Sequence, residues 1–263
     1  MNDAKNPCPI GVLLDGPPAD FAAEVRLAAD LGFASVDVVA LEERPPMDRE
    51  ALADAGVLVR CAAVGRGLPD GCTLDAADAG RRREAVERVR RQIADAAQLG
   101  ATQAYVVSGL NAQPAALASF AEACGLLAHY AAGRMVRLCV EPIPGRALPD
   151  AAATMAWLRG TGHADLGLLL DVGHCLISGE DPAAVARTAG PLLGYVHLDD
   201  NDGVGDLHWP LLTGSLTAAQ LTDLAKTLKD LGFSGGISLE LKAAGAERAP
   251  AFRRSKEIAE RVF

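Results

Sequence analysis

Four short stretches of the 263-residue chain place an acid or an imidazole at the end of an apolar run: Glu141 in LCVEPIPG, Asp171 in LLLDVGH, His197 in YVHLDD and Glu240 in SLELK. Each alone has an ordinary explanation. Asp171 could cap a loop or the following helix, and Glu240 could pair with Lys242. As a set they read differently. Three carboxylates buried beside apolar strands with no cation cost several kcal/mol per charge, and a divalent ion turns that liability into a site. Three carboxylates and one imidazole form an oxygen-rich donor set suited to Mn²⁺ first, and to Mg²⁺ or Co²⁺, with positions open for water or substrate; Zn²⁺ is a further candidate. Around His197 the residues are densest. The stretch 195–214, YVHLDDNDGVGDLHWPLLTG, gathers four Asp and two His without a Lys or Arg.

The elements that must position these residues are short apolar runs alternating with Ala/Leu-rich helical stretches. Strand candidates are IGVLL (10–14), ASVDVVA (34–40), VLVRCAAV (57–64), TQAYVVS (102–108), MVRLCVE (135–141), LGLLLD (166–171), GYVHLD (194–199) and GGISLEL (235–241). Most are nearly continuous apolar runs, as expected of parallel strands buried on both faces. Helical patterns at 20–32, 81–100 and 217–232 each end in Leu-Gly, where glycine can close the helix in the left-handed conformation. ADLGF (29–33) and KDLGF (229–233) almost repeat. Eight strands with about eight helices give roughly 33 residues per unit, the size of a βαβ step. A doubly wound open sheet would favour a glycine fingerprint after the first strand, and LLDGPPADF lacks one. The expected fold is therefore α/β, one (β/α)₈ barrel spanning residues 1–263, with its chemistry on the loops that follow the strands.

Composition narrows the function. Lys plus Arg is 25 against 34 Asp plus Glu, a net charge of −9, which argues against nucleic acid or an anionic membrane as partner. Six Cys at irregular spacing, with no C-x-x-C, read as reduced thiols in a cytosol-like compartment. The opening MNDAKNPCPIGVLLDG has too short an apolar run for a signal peptide. No segment is expected to reach the roughly 18 apolar residues of a membrane span. The expected location is the cytoplasm.

From IGVLL to the C-terminal helix, and most specifically in VEP, LDVGH, YVHLDDNDG, DLHWPLLTGSL and SLEL, the chain resembles the xylose isomerase-like TIM-barrel superfamily of sugar isomerases and epimerases. The resemblance implies metal ligands at Glu141, Asp171, His197 and Glu240, with His174 at a position that contacts substrate in the ketose epimerases. It further implies proton transfer next to a carbonyl through an enediolate, Glu141 and Glu240 flanking the substrate as the acid–base pair. Two family positions differ. Where ketose 3-epimerases carry Arg six residues after the metal His, this chain has Gly203; where they carry Glu six residues after the first ligand, it has Ala147. The AP endonucleases of the superfamily add two His ligands after strands three and four, absent from CAAVG (61–65) and VVSG (106–109). One endonuclease-like element survives, His174, Asp206 and His208, which either holds a second ion or merely orders the loop, with Trp209 and Pro210 folding over the barrel mouth.

Candidate substrate contacts are Lys242, two residues past Glu240, together with Trp209 and Arg66. Lys242 could equally neutralise Glu240 or another carboxylate. An acidic loop after strand seven would repel phosphate, so the expected substrate is an uncharged sugar, a keto-inositol or a small keto acid. Alternatives to the isomerase or epimerase are a dehydratase of the inosose or dehydroshikimate type, an AP-endonuclease-like phosphodiesterase and a non-catalytic sugar-binding subunit. The resemblance also implies a homo-oligomer. His129 and His163 read as structural or solvated, and RRREAVERVRR (81–91) as a solvated helix face.

Overall fold

A computed structural model describes residues 9–14 and 20–263. The first eight residues, including Cys8, and most of the LLDGPPADF turn lie outside the described residues. Strands β1 (Ile10–Leu13), β2 (Ser35–Val39), β3 (Leu58–Ala63) and β4 (Gln103–Val107) are followed by β5 (Arg137–Glu141), β6 (Leu166–Asp171), β7 (Leu193–Leu198) and β8 (Gly236–Leu239). Neighbours pair in sequence order, and β8 closes on β1 in parallel register, Ile10 opposite Ile237. The chain forms a closed (β/α)₈ barrel.

The connecting helices are α1 (Phe21–Asp30), α2 (Pro46–Ala55), α3 (Ala79–Gln98), α4 (Pro114–Ala132) and α5 (Ala151–Thr161), then α6 (Val172–Ile177), α7 (Pro182–Ala189), α8 (Ala218–Asp230) and α9 (Arg248–Val262). The extra helix comes from the crossing between β6 and β7, which breaks after α6 at Ser178 and Gly179, the glycine at φ 69°. All three Leu-Gly pairs end helices as expected, with Gly32, Gly100 and Gly232 at φ 76°, 86° and 61°. The near-repeat pairs close identically: Phe33 N–H reaches Ala28 O at 3.0 Å and Phe233 N–H reaches Leu228 O at 2.9 Å, the longer of the two bonds in a Schellman ending.

Alternation along each strand builds two cores. Val36, Val38, Ala62, Leu138, Val140, Leu168, Leu170, Val196, Ile237 and Leu239 join the large layer between sheet and helices. Cys61, Ala63, Tyr105, Cys139, Leu169 and Tyr195 form a separate plug inside the barrel. Gly236 makes room for it, because a Cβ there would lie 2.1 Å from the Tyr195 ring. The helix α4 corrects one expectation: at 19 residues and mean hydropathy 1.2 it is long and apolar enough to cross a membrane. Its Phe120, Cys124, Leu127 and Ala131, spaced as one helical face, instead belong to the outer core. The five described cysteines are all buried and unpaired with one another.

Candidate metal centre and active site

Period two carries the inner plug straight into the site. Two residues beyond Cys139, Leu169 and Tyr195 stand Glu141, Asp171 and His197, still facing inward. Asp171 and His197 are register partners on β6 and β7. Glu240 lies one residue past β8 and is held in line by its N–H bond to Leu198 O at 3.1 Å. The barrel thus brings all four together: one ligand atom from each of Glu141, Asp171, His197 and Glu240 lies within 4.8 Å of the others. The first three are buried, and the Glu240 side chain is 18 % exposed.

His197 turns Nδ1 toward the acids, 2.6 Å from Glu240 Oε2, 3.9 Å from Glu141 Oε1 and 4.0 Å from Asp171 Oδ2. Asp171 caps the following helix, as the sequence allows. Its Oδ1 caps α6 by accepting the His174 N–H at 2.8 Å, while Oδ2 is buried with no hydrogen bond. His197 Nδ1 and Glu240 Oε2 are likewise buried without a hydrogen bond. Interiors rarely leave so many polar atoms unsatisfied. Three carboxylates and an imidazole converging on one point, several atoms unpartnered, fit a divalent cation.

Electrostatics reflects the crowding. Burial, then the neighbouring Glu240, pushes the Glu141 carboxyl up. Burial also works against the Glu240 charge, but His197, His208 and His174 outweigh it and hold that carboxyl down. His174 and His208 lose by burial and gain more from the acids, reaching about 10 and about 11.

A second group shares the mouth. His174, Asp206 and His208 also bring ligand atoms within 4.8 Å of one another, as do Asp171, Asp199 and His208. Asp206 Oδ1 is 3.2 Å from His174 Nε2 and 2.8 Å from His208 Nε2. His208 holds φ 47°, a left-handed conformation uncommon outside glycine, and its carbonyl accepts the Lys242 N–H at 2.8 Å. The four Asp of the dense stretch divide the work. Asp200 takes backbone N–H groups from Asn201, Thr213, Gly214 and Leu216, and Asp202 those of Val204 and Gly205. These two order the loop through its backbone. Asp206 faces the histidines, and Asp199 is buried, accepting from Gly173 N–H at 2.6 Å with Oδ2 3.0 Å from His208 Nδ1.

The remaining candidates are spread around the rim. Burial opposes the Arg66 charge, but Tyr105, Glu141 and Glu240 outweigh it and raise its pKa. Lys242 is exposed, its Nζ 3.9 Å from Asp206 Oδ2. Of the two carboxylate partners open to it, Asp206 is the one within ion-pair distance. Trp209 is partly exposed and tied by its backbone to Asp200 in an antiparallel bridge. His129 and His163 are exposed, and Arg88, Arg90 and Arg91 of α3 pair with Glu42, Glu84 and Glu87. Sequence reasoning missed Asp199, Asp37 and Tyr105. Asp199 carried a signal, since it follows His197 by two.

A family model described as xylose isomerase-like TIM barrel matches residues 25–261. The D-psicose 3-epimerase of Agrobacterium fabrum is 23% identical over 244 residues, covering 84% of this chain and 79% of that protein. Two solved structures share the fold. A 3-keto-D-glucoside 4-epimerase from E. coli superposes with TM-score 0.80 at 18% identity, over 97% of this chain and 99% of the other. A xylose isomerase-like TIM-barrel protein from Mycobacterium smegmatis in complex with magnesium gives 0.74 at 18% identity, over 100% and 99%. With nine-tenths of its length matched by the family model and a closed eight-stranded barrel, the chain belongs to the xylose isomerase-like TIM-barrel family.

Proposed function

We propose that the chain is a divalent-metal-dependent sugar or keto-polyol epimerase or isomerase that moves a proton at the carbon beside a carbonyl. The observation that carries this reading is the convergence of Glu141, Asp171, His197 and Glu240 within 4.8 Å, with buried atoms left unsatisfied. Two of the relatives are named as sugar epimerases, which supports it. An ion held by these four residues, manganese in our reading, supplies Lewis-acid polarisation of the carbonyl.

The chain's own residues do the rest. Glu141 ends β5 and Glu240 follows β8, so their carboxylates flank anything seated between them. One takes the α-proton, and the other delivers a proton of its own to the opposite face or to the adjacent carbon, help typically worth about 10²–10⁴-fold. Asp171 and His197 anchor. Arg66, whose positive charge both glutamates favour, hydrogen-bonds substrate oxygens, while His174, with Nδ1 3.8 Å from Glu141 Oε1, either does the same or joins Asp206 and His208 around a second ion. Sugar phosphates suit the site poorly, because the loop after β7 carries Asp199, Asp200, Asp202 and Asp206. That loop also departs from the ketose 3-epimerases in a way its backbone supports: Gly203, which stands in place of their Arg, is held at φ 81°, where a side chain is strained.

Incubating the manganese-loaded protein in D₂O with ketoses, 3-keto-glycosides and inososes, followed by NMR, tests the proposal. Deuterium at the carbon beside the carbonyl, with an epimer or isomer accumulating, is the expected result. Glu141→Gln and Glu240→Gln should each slow it about 10²-fold or more. Loss of water from the substrate would reassign the chain as a dehydratase. No exchange with any member of the panel would overturn the catalytic reading.

A further inference from the structure

An imidazole can offer one nitrogen to a cation only when its proton sits on the other, and a partner at that second nitrogen normally fixes which. His197 presents Nδ1 to the acids at the mouth. Its Nε2 points down the barrel, where Asp37 Oδ2 lies 3.4 Å away. Asp37 sits in the middle of β2, fully buried inside the barrel. The Tyr195 hydroxyl donates to Oδ1 at 2.7 Å, the Ser238 hydroxyl donates to Oδ2, and the two hydroxyls lie 2.8 Å apart.

The surroundings fix the ring as well as its partner. Tyr195 and Ser238 each precede a proposed ligand by two residues, His197 on β7 and Glu240 after β8. The imidazole meets the ring of Tyr105 at 5.3 Å and that of Tyr195 at 5.6 Å, edge to face at 87° and 89°. Such contacts set the plane of the imidazole. Within that plane, a carboxylate held from two sides by hydroxyls can accept a hydrogen bond from the Nε2 proton. We propose that Asp37 is a positioning residue of the ion centre: it keeps the His197 proton on Nε2 and so presents Nδ1 as the ligand atom. Asp37 touches neither substrate nor ion. The inference rests on the ion centre assigned under the proposed function.

Manganese titration of the chelator-stripped full-length protein by calorimetry, wild type against Asp37→Asn, is the first test. The variant should bind about 10–100-fold more weakly, the usual consequence of losing the partner of a ligating histidine. Nitrogen-15 NMR of the magnesium-loaded wild type is the second, and needs no variant. It should find the His197 proton on Nε2; a proton on Nδ1 overturns the assignment even if Asp37→Asn does not fold. Ser238→Ala, which leaves Asp37 one hydroxyl, should weaken manganese binding by a smaller factor. An unchanged Kd in Asp37→Asn overturns the role of Asp37 alone. Failure of the wild type to bind either ion overturns this role together with the ion centre.

Discussion

Two buried groups of charges in this barrel have opposite character. Behind β2, Arg44 is buried with Asp48 and Asp95. Its guanidinium donates to both Asp95 oxygens at 3.0–3.1 Å, to Asp48 at 3.2 Å and to Val39 O at 2.7 Å, and Asp95 also accepts the Leu41 N–H. No buried side-chain atom of the three is left without a partner. At the barrel mouth, Glu141, Asp171, Asp199, Asp206 and Glu240 meet three imidazoles and, at the rim, Lys242 and Arg66, and six atoms, one each of His174, His197, His208, Asp171, Asp199 and Glu240, are buried there without a hydrogen bond. The difference separates a structural use of buried charge from a functional one. Where charge only locks elements together, the chain supplies the counter-ion and closes every bond. Where the bonds stay open, the side chains present do not supply the partner.

The largest expected effect falls on the closed group. Arg44→Met strands Asp95 and Asp48 in the interior, and breaking a buried pair this way costs about 3–5 kcal/mol. The urea midpoint should drop accordingly, and manganese affinity should not change in protein that still folds. A midpoint close to wild type would erase the contrast.

The open group should respond to ions in the opposite sense. A ligand that binds only the folded chain adds about 2.7 kcal/mol at one hundred times its Kd. Manganese should therefore raise Tm above that of protein in chelator, whereas Arg44→Met cannot be rescued beyond that same increment. The stoichiometry sharpens the second group. Two ions per chain falling to one in His208→Ala supports a site on His174, Asp206 and His208, and an unchanged stoichiometry disposes of it.

Much of this was legible before the fold. Continuous apolar runs marked the eight strands, and an acid or imidazole ending four of them marked the residues that converge at the mouth, because parallel barrels place their chemistry there. Asp37 was not legible. Inside ASVDVVA it looks like a flaw in a strand, and its partners Tyr195 and Ser238 are 158 and 201 residues away. Only closure of β8 on β1 and β1 on β2 brings them together. Arg44 was hidden for the same reason, its partner Asp95 lying 51 residues away on α3. Asp199 was half legible: counting by two from His197 turns it inward, but the adjacent Asp200 competes for that role until the strand end is fixed.

The smallest effect belongs to charges at the surface, which calibrate both buried groups. Glu42 accepts from Arg88 at 2.7 Å and from Arg91 at 2.9 Å, with its side chain 25 % exposed. The Arg91 hydrogen bond, partly opposed by burial and aided by Arg88, lowers its pKa. A depressed carboxylate contributes stability above its unfolded pKa and loses it as pH falls through the lower folded value. Solvent screens the pair, so Glu42→Gln should cost less than about 1 kcal/mol at neutral pH, and less again in high salt. The difference from wild type should be full at pH 7 and vanish once the solution is acidic enough to protonate Glu42 in both states. A cost as large as that of Arg44→Met, unchanged by salt, would mean that burial is not what sets the worth of these pairs.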